Sequence, residues 1–299
     1  MESVPTCPAE CRLRGIFVIF DAVQILVIVA VSFVAGLIGA MVGLGGGVLL
    51  VPFLVLIEGV AMPSAIAASI VGVVATSSAS ASAYVRSRMT NIRLGMFLEV
   101  GTAVGALAGA FLSLAMPVSA LEALFGLTAL FVCYSMLRTP SKEGRSERPS
   151  DPVASRLKLH SQYYLEGRTH KYTVRQTPLG LVGSVLAGIL AGLFGIGGGI
   201  IKVPIMTLGM GVPLRPAAAT SNFMIGVTAA TGAAVFWSRG YVIPELAAAV
   251  AIGVSAGSLV GSSLSHSVDI RHLKILFVAV LFYTAMRMLM QGLGVNLGF

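Results

Sequence analysis

The sequence predicts an all-α polytopic membrane protein of two tandem homologous repeats, each with about four transmembrane helices and one short, broken half-helix. The first observation behind this prediction is composition: 56% of the 299 residues are hydrophobic and 11% are charged, against about 25% charged in soluble domains. The second is a series of apolar runs of roughly 20 residues, a length that spans a bilayer core. The third is a glycine-rich pattern that occurs twice.

The repeat is visible in two glycine-rich segments that are each followed by a proline. Gly43-Leu-Gly-Gly-Gly47 precedes Pro52, and Gly195-Ile-Gly-Gly-Gly199 precedes Pro204. The offset is constant, because 195 minus 43 and 204 minus 52 both give 152. The same offset relates further identical residues: Ser69 and Ser221, Thr76 and Thr228, Gly105 and Gly257, Gly109 and Gly261, Phe125 and Phe277. This gapless register indicates a tandem duplication.

The apolar runs divide the chain into four segments. The runs of the first copy are 23–42, 48–57, 65–84, 94–116 and 118–137. Those of the second copy are 179–194, 200–210, 217–237, 243–263 and 270–290. The predicted segments are an N-terminal tail (1–22), a first transmembrane repeat (23–138), a basic cytoplasmic linker (139–177) and a second transmembrane repeat (178–292).

The distribution of charge predicts how the copies lie in the membrane. Cytoplasmic loops of membrane proteins carry an excess of Lys and Arg, so the cationic linker is placed inside a bacterial-type inner (plasma) membrane. The three arginines between residues 86 and 93 then also lie inside, and the uncharged turn 116–119 lies outside. In the second copy the charges of the corresponding turns are reversed, which favours inverted copies. Inversion requires that each glycine-broken segment returns as a hairpin or crosses twice. The linker is expected to be a flexible tether with an orientation signal rather than a regulatory domain.

Composition and motifs exclude several function classes. The net charge is +8, but the cations cluster in linkers and at helix ends, so no nucleic-acid partner is expected. Three cysteines without paired Cys or His ligands predict no disulfide framework, no metal site and no cofactor. The four histidines fall in linkers or at helix ends, and no G-x-S-x-G or H-E-x-x-H motif is present. The chain is therefore not expected to be an enzyme.

The two glycine segments are the strongest functional signal. Glycine costs about 1 kcal/mol relative to Ala in a helix interior, so three in a row are expected to unwind the helix. Unwound backbone at membrane depth is tolerated where it is buried in protein or lines a wet cavity. The N-terminus of the following half-helix would offer N–H groups and a positive dipole end to an anion. Two such breaks at equivalent positions predict a transport site between the repeats. The candidate substrate-binding residues of these loops are Gly45, Gly46, Gly47, Gly197, Gly198 and Gly199.

The alternative interpretation of the glycines is that they only let helices cross closely. This interpretation is favoured for a second, regularly spaced set: Gly101, Gly105, Gly109, Gly253, Gly257 and Gly261.

Polar residues beside the breaks are further candidates. Lys202 lies three residues after Gly199 in an apolar half-helix, where an unpaired cation is costly. It is a candidate for substrate binding, and the alternative is a lysine that extends to the interface. Glu99 is the candidate for ion coupling, and the alternative is a structural pair with an arginine. Small polar residues open the helix after each half-helix, either as N-caps or as substrate contacts: Ser69, Thr220, Ser221 and Asn222.

These motifs resemble the TauE/SafE family of sulfite and organosulfonate exporters. The resemblance covers both copies, from about residue 23 to about residue 290, and omits the linker. It implies roughly eight helices in a duplicated arrangement and transport of small sulfur-containing anions, driven by an ion gradient. The family's small-polar signature falls on Thr220, Ser221 and Asn222, whereas the first copy has Ala68, Ser69 and Ile70 at those positions.

The functional prediction is a secondary transporter, an exporter of small sulfur-containing anions such as sulfite or short organosulfonates, with the substrate held between the two broken helices. The expected partners are the small anion, the lipid bilayer and a coupling ion, either a proton or sodium. The alternatives are a passive anion channel and a transporter of another small organic acid.

Overall fold

The computed structural model describes residues 21–43, 45–86, 89–138, 151–157, 159–165, 168–264 and 270–294. The first half of the chain contains α1 (Ala22–Val42), α2 (Gly47–Leu56), α3 (Met62–Arg86), α4 (Ile92–Ala115) and α5 (Val118–Arg138). The segment between the halves contains α6 (Pro152–Arg156), β1 (Ser161–Leu165) and β2 (Arg168–Tyr172). The second half contains α7 (Thr177–Phe194), α8 (Gly199–Pro204), a π-helical turn (Ile205–Gly209), α9 (Leu214–Ser238), α10 (Pro244–Leu264) and α11 (Ile270–Gly292).

Seven helices of the described residues are long and apolar enough to cross a membrane, namely α1, α3, α4, α5, α7, α9 and α10. The described apolar part of α11, Phe277–Gly292, is shorter. Many large apolar side chains on these helices remain exposed in the isolated chain, which is unfavourable in water and expected in lipid. The prediction of an all-α polytopic membrane protein is therefore confirmed.

Local chemistry sets several helix ends. α1 begins with a capping box, in which Asp21 accepts from the N–H of Ala22 and Gln24 accepts from the N–H of Asp21. It ends at Gly43, which has a left-handed backbone (φ 81°). Asn91 caps the start of α4, because its side-chain oxygen accepts from the N–H of Leu94 at 3.1 Å.

The helices α1 and α10 pack together in the same direction along a row of glycines. Gly253 lies on Val29, and two turns later Gly261 lies on Leu37. A Cβ atom at Gly257 would overlap the carbonyl oxygen of Phe33. The two backbones therefore approach as closely as only small residues allow.

The helices α4 and α7 pack in the same way. Gly101 lies on Leu181 and Gly109 lies on Ile189, so these two helices also run in one direction. The prediction that the regularly spaced glycines permit close helix crossing is confirmed at both crossings.

Two other helix pairs run in opposite directions. In the α3–α9 pair, Ser77 lies on Gly226 and Ile70 lies on Gly232. In the α5–α11 pair, the Sγ atom of Cys133 lies 3.8 Å from the carbonyl oxygen of Val278. A later residue of α11, Leu289, contacts an earlier residue of α5, Gly126. In both pairs, the partners are the helices that the 152-residue offset relates to each other.

Both short half-helices fold back along the helix that precedes them. Gly46 lies against Ala35, and Gly198 lies against Ala187. In each case the two residues are 11 positions apart, which in a continuous helix would separate them by about 16 Å. The chain therefore enters, turns at the glycines and returns, which is the hairpin arrangement considered for the broken segments.

The segment between the halves is folded and docked on the helices. Tyr163 and Tyr172 of the β-hairpin form a buried cluster with Met206, Met210 and neighbouring residues. The hairpin thus covers the π-helical turn after α8. The expectation of a flexible tether is wrong for the described residues of this segment, because its aromatic side chains have an apolar surface to bury.

Two polar contacts fix this docked segment. The side-chain amide of Asn91, at the start of α4, donates to the carbonyl of Leu159 (2.8 Å) and to the hydroxyl of Tyr172 (3.1 Å). Asp151 accepts from the N–H (3.1 Å) and the hydroxyl (3.0 Å) of Thr177, the first residue of α7. The hydrogen bond from the Thr177 hydroxyl lowers the pKa of Asp151.

Candidate functional site

The predicted helix breaks are present at both glycine segments. The N-caps of α2 and α8 are Gly46 (φ 74°) and Gly198 (φ 70°), and neither helix has a side-chain cap. Other residue types rarely adopt such left-handed angles without strain. The first N–H groups of each half-helix therefore have no intrahelical partner and no capping side chain.

The two glycine loops lie directly against each other. A Cβ atom at Gly47 would come within 2.5 Å of the carbonyl oxygen of Gly195. A Cβ atom at Gly199 would likewise overlap the carbonyl oxygen of Gly43. The positive ends of both half-helices are thus brought to one buried place between the two halves of the chain.

Two apolar side chains separate the middle glycines of the loops. Val73 of α3 and Ile225 of α9 both lie close to Gly45 and to Gly197, and both side chains are fully buried. The offset of 152 relates Val73 to Ile225. In this structure the loops are therefore closed around an apolar contact rather than around open space.

Two serines bridge the loops reciprocally. The hydroxyl of Ser69 donates to the carbonyl of Gly195 at 2.9 Å, and the hydroxyl of Ser221 donates to the carbonyl of Gly43 at 3.2 Å. Each serine therefore binds the glycine that caps the C-terminus of the broken helix in the other half, Gly195 at the end of α7 or Gly43 at the end of α1. Both predicted serines lie at the loops, and their hydroxyls hold the closed arrangement together.

Asn222 and Thr220 occupy different surroundings. The amide nitrogen of Asn222 donates to the carbonyl of Ala40 near the end of α1 (2.9 Å), while its buried side-chain oxygen has no hydrogen-bond partner. Such an unpaired buried acceptor is costly. Thr220 instead accepts from the N–H of Asn91 at 3.0 Å. The structure brings Asn222 to the first loop and Thr220 to the start of α4.

Lys202 and Glu99 form a buried ion pair beside the second loop. The ammonium of Lys202 lies 3.5 Å from Oε2 of Glu99 and donates to the hydroxyl of Thr228 at 2.8 Å. The Thr228 hydroxyl lies 2.7 Å from Oε1 of Glu99, as a donor. Lys202 and Glu99 are only 2% and 6% exposed. Lys202 therefore does not extend to the interface, and among the described residues the partner of Glu99 is a lysine rather than an arginine.

Thr228 and Thr102 are members of this cluster that sequence reasoning missed. Thr102 donates to the backbone carbonyl of Glu99 and lies 3.3 Å from the Thr228 hydroxyl. The 152-residue offset relates Thr228 to Thr76, but a threonine in an apolar helix usually bonds within its own helix. Only the packing of α9 on α4 reveals its role.

The charged pair of this cluster has no charged counterpart at the positions that the repeat relates to it. The offset of 152 relates Lys202 to Leu50 and Glu99 to Ala251. Leu50 is fully buried in the apolar core, and Thr76, the counterpart of Thr228, donates to the carbonyl of Gly72 in its own helix. The two halves are therefore alike in their loops and unlike in their charge.

Among the described residues, no group of three or more His, Cys, Asp or Glu side chains lies close enough together to hold a metal ion. The chemistry that the described site offers is therefore that of hydrogen-bond donors, helix dipoles and one ion pair.

Comparison with known proteins places the whole membrane part in one family. The family model described as "Sulfite exporter TauE/SafE" matches residues 28–288. "Probable membrane transporter protein YunE" of Bacillus subtilis is 26% identical over 277 residues, which are 90% of this chain and 98% of that protein. "Probable membrane transporter protein MJ0441" of Methanocaldococcus jannaschii is 25% identical over 271 residues, covering 85% of this chain and 91% of that protein.

A second protein of Bacillus subtilis, "Probable membrane transporter protein YdhB", is 23% identical over 242 residues, with 81% of this chain and 90% of that protein covered. No solved structure matches the chain significantly. The family match and these names indicate a membrane transporter rather than an enzyme. The chain is a multi-pass membrane protein that belongs to the sulfite exporter TauE/SafE family.

Proposed function

We propose that the protein is a secondary transporter that exports a small sulfur-containing anion, such as sulfite or a short organosulfonate. The observation that carries this proposal is the meeting of two half-helix N-termini at one buried place between the halves of the chain. Backbone N–H groups and positive dipole ends favour an anion there. The family description supports sulfite as the substrate class and export as the direction.

The arrangement of the helices supports inverted repeats. The helices α3 and α9, and likewise α5 and α11, are related by the 152-residue offset and run in opposite directions. A two-fold axis along the membrane normal would make related helices parallel, whereas an axis in the membrane plane makes them antiparallel. The proposed location is the inner (plasma) membrane, with the basic linker in the cytoplasm.

In the proposed cycle, the closed loops separate to admit the anion. The hydroxyls of Ser69 and Ser221 now donate to loop carbonyls. When the loops part, these hydroxyls and the N–H groups of Gly46, Gly47 and residues 197–199 become available to the substrate. Because the loops sit between the halves, tilting one half against the other opens the site to one side of the membrane at a time.

The experiment that tests this proposal is transport by purified protein in liposomes. We expect labelled sulfite and a short alkanesulfonate to cross, and the Ser69→Ala and Ser221→Ala variants to lose at least tenfold in flux. Ser184→Ala is the matched control, because Ser184 is a buried serine that bonds only within its own helix, to the carbonyl of Gly180. Wild-type protein that carries neither anion would contradict the proposal.

The same liposomes distinguish a transporter from a passive channel. A transporter with loops that close around its substrate shows saturable flux and exchange, whereas a channel shows sustained single-channel currents in a planar bilayer. The direct packing of the loops, with Val73 and Ile225 between them, favours the transporter. Sustained anion currents would favour the channel instead.

A further inference from the structure

The buried ion pair joins the two halves of the chain, because Glu99 lies on α4 of the first half and Lys202 on α8 of the second. The positions that the 152-residue offset relates to this pair are apolar, Ala251 and Leu50. Replacing a buried ion pair by apolar residues is often neutral or stabilising, and the chain itself contains that apolar version. The repeated arrangement therefore does not by itself call for charges at these two positions.

The ion pair lies beside the second loop, so its charges would act electrostatically on an anion bound between the loops. Lys202 is in the first turn of α8, and its N–H donates to the carbonyl of Gly198. Its side chain extends from this turn to Glu99 and Thr228. In this state, Glu99 neutralises the cation that a bound anion requires.

We propose that a proton binding to Glu99 frees Lys202 to become the counter-ion of the anion, so that proton and anion move together. This inference rests on the proposed function. The carboxylate takes up one proton and becomes neutral, and the ammonium then pairs with one negative charge of the substrate. For a monovalent anion the loaded site gains no net charge, so the low-dielectric interior does not oppose the movement. The Thr228 hydroxyl, which bonds both Lys202 and Glu99, remains a partner of the ammonium as it moves from the carboxyl group to the anion.

No other ionisable side chain competes for this role among the described residues of the surrounding helices. α7 contains none, and α8 contains Lys202 alone. α4 and α9 each contain one arginine besides the cluster, Arg93 and Arg215, and both lie near the start of their helices. Glu99 is therefore the one carboxyl group among the described residues of these four helices; a second buried carboxyl group, Glu122, lies on α5, which also packs on α7 and α8.

The coupling is tested with an alkanesulfonate, which stays ionised at every pH used, so that any proton that moves is not bound to the substrate. Wild-type protein in liposomes is expected to acidify the lumen as the sulfonate enters, measured with a trapped pH dye. Glu99→Gln mimics the protonated carboxyl group, so it is expected to exchange sulfonate at a rate independent of pH and to move no protons. Glu122→Gln is the matched control, because Glu122 is a second buried carboxyl group of this region, on α5, with no ion pair to Lys202. Sulfonate-driven proton movement that survives in Glu99→Gln would overturn the inference.

A second variant separates function from folding. The double variant Glu99→Ala with Lys202→Leu introduces the residues found at the two repeat-related positions, Ala251 and Leu50. We expect its thermal unfolding to resemble that of wild type and its sulfonate flux to fall at least tenfold. Wild-type flux in this variant would overturn the inference, since the pair would then be structural only. Wild-type protein that moves neither sulfite nor sulfonate would instead contradict the proposed function, so the two failures are distinguishable.

Discussion

The charged residues of the candidate site are paired with residues that lie far away in the sequence. Lys202 and Glu99 are each recognisable in the sequence as costly charges in apolar runs, because desolvation penalises an unpaired ion. Their pairing is not recognisable, since 103 positions separate them and no periodicity relates them. The breaks at the glycine loops, in contrast, are recognisable from the sequence, because three consecutive glycines destabilise a helix.

The bridging hydroxyl of Thr228 gives a prediction at this scale. Thr228→Val keeps the shape of the side chain and removes hydrogen bonds to two charged groups, each worth about 1.5–3 kcal/mol. We expect a loss of roughly 2 kcal/mol in the free energy of unfolding, measured by denaturation in detergent.

The matched control is Thr76→Val, the equivalent change in the other half. Thr76 bonds only the carbonyl of Gly72 in its own helix, so the expected loss is under about 1 kcal/mol. Equal losses in the two variants would show that Thr228 does not support the ion pair.

At the scale of elements, the close crossings were predictable and the docked hairpin was not. Glycines repeated every four residues predict small-residue packing, and α1–α10 and α4–α7 both use it. The hairpin strands are only five residues long and lie in a polar, cationic segment. Their aromatic side chains bury themselves against the π-helical turn, a surface that exists only in the folded helices.

The α1–α10 crossing gives the second prediction. Gly257→Ala would place a methyl group into the Phe33 carbonyl oxygen, so the helices must separate, at a cost of about 1–3 kcal/mol. We expect a lower melting temperature in detergent. Gly232→Ala on α9 is the control, because its nearest neighbour is a terminal side-chain atom of Ile70 at 3.5 Å; its melting temperature is expected to stay the same or rise.

The docked hairpin gives the third prediction. Asn91→Ala removes the hydrogen bonds to Leu159 and Tyr172 that fix the hairpin. We expect faster trypsin cleavage after Lys171, which is exposed on β2, because local opening becomes easier. Gln162→Ala on β1 is the control, since Gln162 is also exposed. Unchanged cleavage in Asn91→Ala would show that other contacts hold the hairpin.

At the scale of the whole molecule, the constant offset and the distribution of charge predicted duplicated, inverted halves. The opposite directions of α3 and α9 support inversion, which sequence alone favoured only through a few charged residues in the turns. The closed state of the loops could not be predicted, because it depends on how Val73 and Ile225 interdigitate between them.

Inversion gives the fourth prediction. In a variant without the three native cysteines, single cysteines replace Glu58, Arg239 or Gln162 in cells. An impermeant maleimide added outside is expected to label positions 58 and 239, which lie on the side opposite to the linker, and to leave position 162 unlabelled. In parallel repeats, position 239 would share the side of position 162, so equal labelling of positions 239 and 162, with both protected or both labelled, would contradict inversion.

The central claim is that the two half-helix N-termini hold an anion between them. Its most direct test is an anomalous difference map from crystals grown with selenite, the heavier analogue of sulfite. We expect one selenium peak between Gly47 and Gly199, with Ser69 and Ser221 turned towards it. A peak at any other place, from protein that transports selenite, would contradict an anion site between the two half-helices.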